Sequence, residues 1–174
     1  NSNTTQLQTL AGVTAEQSGV ISETAGPRPL EKIGLGTLTL SGVNTYTGAT
    51  TITAGTIDIT NASSVGTGDI VFNGGALNST VSFTLAPANL TVNANQSGTI
   101  SADAGQTLTI DPTGNYFRGA NAITRFGTVG NPGTIVLNNS AGFTTNGGDQ
   151  VFIDAGTVRV GGANAGNLFF NSGT

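Results

Sequence analysis

The chain contains no histidine, cysteine, methionine or tryptophan. Without cysteine there is no disulfide, no thiolate zinc site and no cysteine nucleophile. Without histidine the commonest general base and metal ligand is missing, and a Ser/His/Asp triad is excluded. Charged residues make up 8% of the chain, with five basic against nine acidic and no basic cluster, which argues against a nucleic-acid partner. No apolar run approaches the length that spans a bilayer as a helix. A chain that begins on Asn1 and has no methionine reads as a processed or excised segment, with any export signal already removed.

What is present is glycine, 27 residues of 174, and a modest 36% of hydrophobic residues. A layered globular core asks for more apolar residues. A solenoid asks for fewer, because each coil buries a thin row of side chains and stacks it on the next. The pattern is of period two. Thr37-Leu38-Thr39-Leu40, Thr51-Ile52-Thr53, Thr56-Ile57-Asp58-Ile59, Asp69-Ile70-Val71-Phe72, Leu90-Thr91-Val92, Thr107-Leu108-Thr109-Ile110, Thr134-Ile135-Val136-Leu137, Val151-Phe152-Ile153 and Thr157-Val158-Arg159-Val160 all read as short strands. The only loosely helical spacing, Leu7, Leu10, Val13 and Val20, is cut off by Pro27 and Pro29.

Glycines punctuate the strands, and coil starts at Gly36, Gly55, Gly74, Gly98, Gly127 and Gly156 give coils of roughly 19–29 residues. The fold class predicted is all-β, a β-solenoid, with a β-sandwich as the alternative. Outward loops are expected at 86–89 and 112–122 in the longer coils. Gly36-Thr37-Leu38-Thr39-Leu40 recurs 97 residues later as Gly133-Thr134-Ile135-Val136-Leu137. Similarly, Ala54-Gly55-Thr56-Ile57 recurs 101 residues later as Ala155-Gly156-Thr157-Val158. Residues 1–30 are thus read as an N-terminal extension or first coil, and 31–174 as a solenoid with related units at about 36–78 and 133–171.

The run Gly36-Thr37-Leu38-Thr39-Leu40-Ser41-Gly42-Val43-Asn44-Thr45-Tyr46-Thr47-Gly48, continuing to Ala54-Gly55-Thr56-Ile57, closely resembles the passenger-associated transport repeat of Gram-negative autotransporters. The resemblance covers about 18–78, with a degenerate copy at about 127–171. It implies a right-handed parallel β-helix, exported across the outer membrane and displayed outside the cell, in a family with many adhesins.

No catalytic, cofactor-binding or metal-binding residue is assigned. Asp103, Asp111, Asp149 and Asp154 are the acids that coil stacking could bring together for glycosidase or lyase chemistry, or for calcium, but turn and surface roles suit them better. Tyr46, Tyr116, Phe117 and Phe126 are candidate ligand-contact aromatics. Of these, Tyr46 is expected at a corner, and Tyr116, Phe117 and Arg118 form an expected partner-contact loop. Phe72, Phe152, Phe169 and Phe170 are expected in the inward stack, and Asn73, Asn138, Asn139 and Asn171 in side-chain amide ladders. The pairs Thr37/Thr39, Thr45/Thr47, Thr51/Thr53 and Thr107/Thr109 are not spaced to share one face, which disfavours ice binding. Lys32, the one lysine, offers a single possible partner for an isopeptide bond.

The function expected is therefore a non-enzymatic structural or adhesive module facing a host or neighbouring-cell surface ligand. A self-assembling filament subunit, joined end to end through Leu7, Leu10, Leu168, Phe169 and Phe170, is the alternative. A carbohydrate-active β-helix enzyme is a minor one.

Overall fold

A computed structural model describes residues 4–138 and 148–161. The chain winds as stacked coils of parallel strands, a β-solenoid, and no helix occurs among the described residues. The first coil carries β1 (Thr5–Gln8) and β2 (Thr14–Gln17), and the second β3 (Leu30–Ile33) and β4 (Thr37–Leu40). The third has β5 (Thr50–Ile52) and β6 (Thr56–Ile59). The fourth adds a third strand, with β7 (Ile70–Phe72), β8 (Ala76–Ser79) and β9 (Phe83–Leu85). The fifth has β10 (Leu90–Val92) and the long β11 (Ser97–Ile110). β12 (Tyr116–Arg118), β13 (Ile123–Phe126), β14 (Pro132–Asn138), β15 (Gln150–Ile153) and β16 (Thr157–Gly161) complete the described strands.

Three faces result. The first is the ladder β1-β3-β5-β7-β10-β12; the second is β2-β4-β6-β8-β11-β13-β15. On the third face β9, the end of β11, β14 and β16 lie in parallel. β11 spans the second and third faces, with a register shift between Ala102 and Thr107.

On the first face Leu30, Thr50, Ile70 and Leu90 stand one above another, twenty residues apart, and Tyr116 follows after 26. The extra length of the later coils does not form the expected outward loops. It builds the third-face strands, because Phe83-Thr84-Leu85 and Thr107-Leu108-Thr109-Ile110 alternate and pair with each other. The registers also correct three of the coil starts. Ala76 lies over Thr56, so Gly75 takes the position assigned to Gly74. Gly98 is followed one coil on by Thr124, not by Gly127. Gly156 sits before the third-face strand β16, its position packed on Gly133. The recurrent segments at 36–40 and 133–137 accordingly occupy different faces.

The core is a set of inward rows, including Leu38, Leu40, Ile57, Ile59, Leu77, Ile100 and Phe126 on the second face. Such rows exclude water only when the next coil covers them, so stability grows with stacking. The loosely helical N-terminal segment is in fact the first coil: β1 and β2 extend the two ladders, and a turn at Gly12 (φ 76°) joins them. In that coil Leu10, Val13 and Val20 are exposed.

Candidate functional site

The run that marks the repeat in sequence forms a tie across three coils. After β4 the chain returns to the first face through residues 41–49 without a strand. A Cβ on Gly42 would lie 2.2 Å from the Gly19 carbonyl oxygen, and one on Gly48 2.2 Å from the Arg28 carbonyl carbon. Only glycine permits this approach of coil to coil. Asn44, buried between them, accepts from the Ile21 N–H (2.8 Å) through Oδ1 and donates to the Ser64 carbonyl (2.6 Å) through Nδ2. One side chain thus binds the coil below and the coil above. Asn44→Ala strands a buried donor and acceptor and is expected to cost about 2 kcal/mol, read from the shift in denaturation midpoint.

Two residues on, Tyr46 is buried at the corner where it was expected, its hydroxyl 2.6 Å from Thr50 Oγ1, which in turn donates to the Val65 carbonyl. Burial pushes the Tyr46 phenol up to about 12. Glu23 completes the tie from the first coil. Its carboxylate accepts from the Thr47 hydroxyl, the Thr47 N–H (3.0 Å) and the Arg28 N–H (2.7 Å). The bond from the Thr47 hydroxyl is the main reason its acidity lies below the ordinary glutamate value.

The four candidate acids do not converge. Asp103 accepts from Asn78 (3.0 Å), Asp111 from Asn138 (3.2 Å), and Asp154 holds Arg125 through both oxygens (3.0 Å each). Asp149 lies 3.8 Å from Arg118 with both side chains buried. The acid that does stack near Asp103 is Asp58, whose Oδ1 accepts from the same Asn78 Nδ2 (3.3 Å). Desolvation raises Asp58, and the Asp103 charge adds to the rise. The signal for this pairing was the coil period, since Asp58, Asn78 and Ser101 occupy one outward row of the second face. Among the described residues no group of three or more acidic, histidine or cysteine side chains is placed to hold a metal ion.

The expected contact loop at Tyr116, Phe117 and Arg118 is instead β12, a strand of the first face. Tyr116 and Arg118 take inward positions, over Leu90 and Val92, and both are buried. The Tyr116 hydroxyl donates to Thr124 Oγ1 (3.2 Å), and burial pushes that phenol up to about 12. Phe126 also faces inward, as does Phe72. Phe152 points outward instead, in register with Arg125, whose guanidinium stacks 4.5 Å from its ring centre. That exposed Arg125–Asp154 pair is worth at most about 1 kcal/mol, so Asp154→Asn is expected to shift the unfolding midpoint little.

Asn73 receives the Asn93 amide (3.1 Å), and Asn95 that of Asn121 (3.2 Å), so amide ladders do run between coils. The Thr-x-Thr pairs fall on different faces or in the 41–49 return. Lys32 is wholly buried. Of the end-to-end candidates, Leu7 is half-buried on β1 and Leu10 is exposed in the next turn. Leu168, Phe169, Phe170, Asn139 and Asn171 lie outside the described residues.

Residues 30–59 match the passenger-associated-transport-repeat family, a span that includes β3 to β6 and the tie built on Asn44 and Tyr46. The chain is also 39% identical, over 102 residues, to the Adhesin BmaC autotransporter of Brucella suis biovar 1 (strain 1330). That match covers 58% of this chain and 3% of the length of the relative. No solved structure matches. No helix among the described residues is long and apolar enough to cross a membrane. Residues 30–59 thus carry a passenger-associated transport repeat, and this, with the similarity to an autotransporter adhesin, supports a surface-exposed protein exported across the outer membrane.

Proposed function

We propose that the chain is a non-enzymatic adhesive module of an autotransporter passenger. The observation that carries this reading is the use made of the transport repeat. Asn44, Tyr46, Gly42 and Gly48 are all engaged in coil-to-coil contacts, so the repeat builds a scaffold and leaves its outward faces for contact. The adhesin relative supports the same reading. So does the chemistry of the acids, each held by an amide or guanidinium partner and none facing a second carboxylate across an open gap.

The test is to display the full passenger on a non-adherent bacterium and to exchange these residues for an unrelated solenoid of equal coil number. Adhesion to host cells or to neighbouring bacteria is expected to fall severalfold. Unchanged adhesion overturns the reading, as does polysaccharide cleavage that Asp58→Asn or Asp103→Asn abolishes.

A second reading, end-to-end assembly, is favoured by one observation. Among the described residues β1 and β2 each pair with one strand, and exposed Leu10, Val13 and Val20 lie beside them. Light scattering of the purified chain is then expected to show growth with concentration that Gln6→Pro together with Ala15→Pro suppresses. A constant monomer mass in both proteins removes this reading.

A further inference from the structure

A cleft of about 280 Å³ opens beside the first coil, between the 21–30 segment and the start of β1. Its walls carry two charged groups of different standing. The Glu23 carboxylate is occupied by the Thr47 hydroxyl and by the N–H groups of Thr47 and Arg28. The Arg28 guanidinium has no hydrogen-bond, ion-pair or ring partner among the described residues. Arg28 is nonetheless held in place. Its own N–H is fixed to Glu23, Pro29 follows it, and the Gly48 backbone presses on its carbonyl. With its backbone fixed, Arg28 has only its side chain left to order when the five-donor fork takes a planar anion.

The rest of the lining narrows the ligand. Thr5, Ser22 and Thr24 contribute hydroxyls, which both donate and accept, as sugar hydroxyls do. Ile21, Pro29 and Leu30 supply an apolar wall suited to the C–H face of a ring. The volume lies just below that of drug-sized sites, enough for one ring and not for a folded peptide. We propose that this cleft binds a carboxylated sugar residue of an acidic polysaccharide, with Arg28 on the carboxylate and the three hydroxyl side chains on the ring hydroxyls.

The proposal supplies a ligand class for the adhesive reading and rests on it. It is tested by calorimetric titration of the purified chain with trigalacturonate, maltotriose and triglutamate. Saturable binding of trigalacturonate is expected, weakened at least tenfold by Arg28→Gln, with maltotriose bound more weakly by a similar factor. Arg28→Gln keeps the backbone bond to Glu23, and its circular dichroism is expected to match the wild type. No binding of trigalacturonate, equal binding by Arg28→Gln, or triglutamate bound as tightly as the sugar acid each overturns the proposal, the last in favour of an acidic peptide. Cell adhesion measured in parallel separates the two readings. Adhesion without sugar binding sinks the cleft alone, whereas loss of adhesion on exchange of the whole segment with Arg28→Gln still adherent assigns adhesion to another face.

Discussion

Lys32→Ala is expected to destabilise the protein by about 4 kcal/mol, combining a buried cavity with the loss of a charge-assisted donor. Lys32 faces inward on β3, one coil below Ile52 and in register with it, and is fully buried. Its ammonium donates to the carbonyls of Ile33 (3.0 Å), Gly34 (2.7 Å) and Ala54 (3.1 Å). These three oxygens belong to the turns from the first to the second face in two successive coils, so one cation pins both corners. Desolvation holds the Lys32 pKa below the ordinary lysine value. Lys32→Met keeps most of the stem and loses the donor, so about half the cost is expected. The check is denaturant unfolding together with hydrogen exchange at Thr53, whose N–H bonds the Lys32 carbonyl. A midpoint for Lys32→Ala equal to the wild type would falsify the assignment.

A steep loss of stability is expected between pH 10 and 12. Tyr46 and Tyr116 are both buried with phenols pushed up to about 12, against 10 in the unfolded chain. In that interval the unfolded state gives up a proton that the folded state keeps, so each added pH unit favours unfolding. Two units on each tyrosine amount to roughly 3 kcal/mol apiece, present below pH 10 and lost by about pH 12. Lys32 acts in the opposite sense. Its folded pKa is depressed, so stability rises as pH climbs toward the unfolded value of about 10.5. Tyr46→Phe with Tyr116→Phe should flatten the alkaline limb at some cost in stability at pH 7, since each hydroxyl bonds a buried threonine. An alkaline transition unchanged in the double variant would show that other groups cause it.

Strands with two apolar inward positions were legible in the sequence. Thr37–Leu40, Thr56–Ile59 and Leu90–Val92 have the same bounds in the structure as in the pattern. Three strands that went unread carry polar groups where the core lies. β3 turns Lys32 inward, β12 turns Tyr116 and Arg118 inward, and β13 buries Thr124. In each case alternation by hydropathy points the wrong way, because the buried group is satisfied by a contact from the same or a neighbouring coil: the Ala54 carbonyl for Lys32, Asp149 for Arg118 and the Tyr116 hydroxyl for Thr124. β1 and β2 were obscured for another reason, since none of their residues is buried. The Arg28 cleft was invisible in the sequence because it depends on Glu23 folding back onto Arg28 and across to Thr47.

The twenty-residue step between Leu30, Thr50, Ile70 and Leu90 has a mechanical meaning. Each coil is held to the next by parallel ladders and by ties such as Asn44, with no disulfide to share the load. Tension applied along the chain should therefore peel coils one after another from an end. Each twenty-residue coil would release about 70 Å of extended chain, and the 26-residue coil between Leu90 and Tyr116 about 90 Å. A surface protein built this way lengthens under shear in near-equal increments, and a longer one marks the opening of the 26-residue coil.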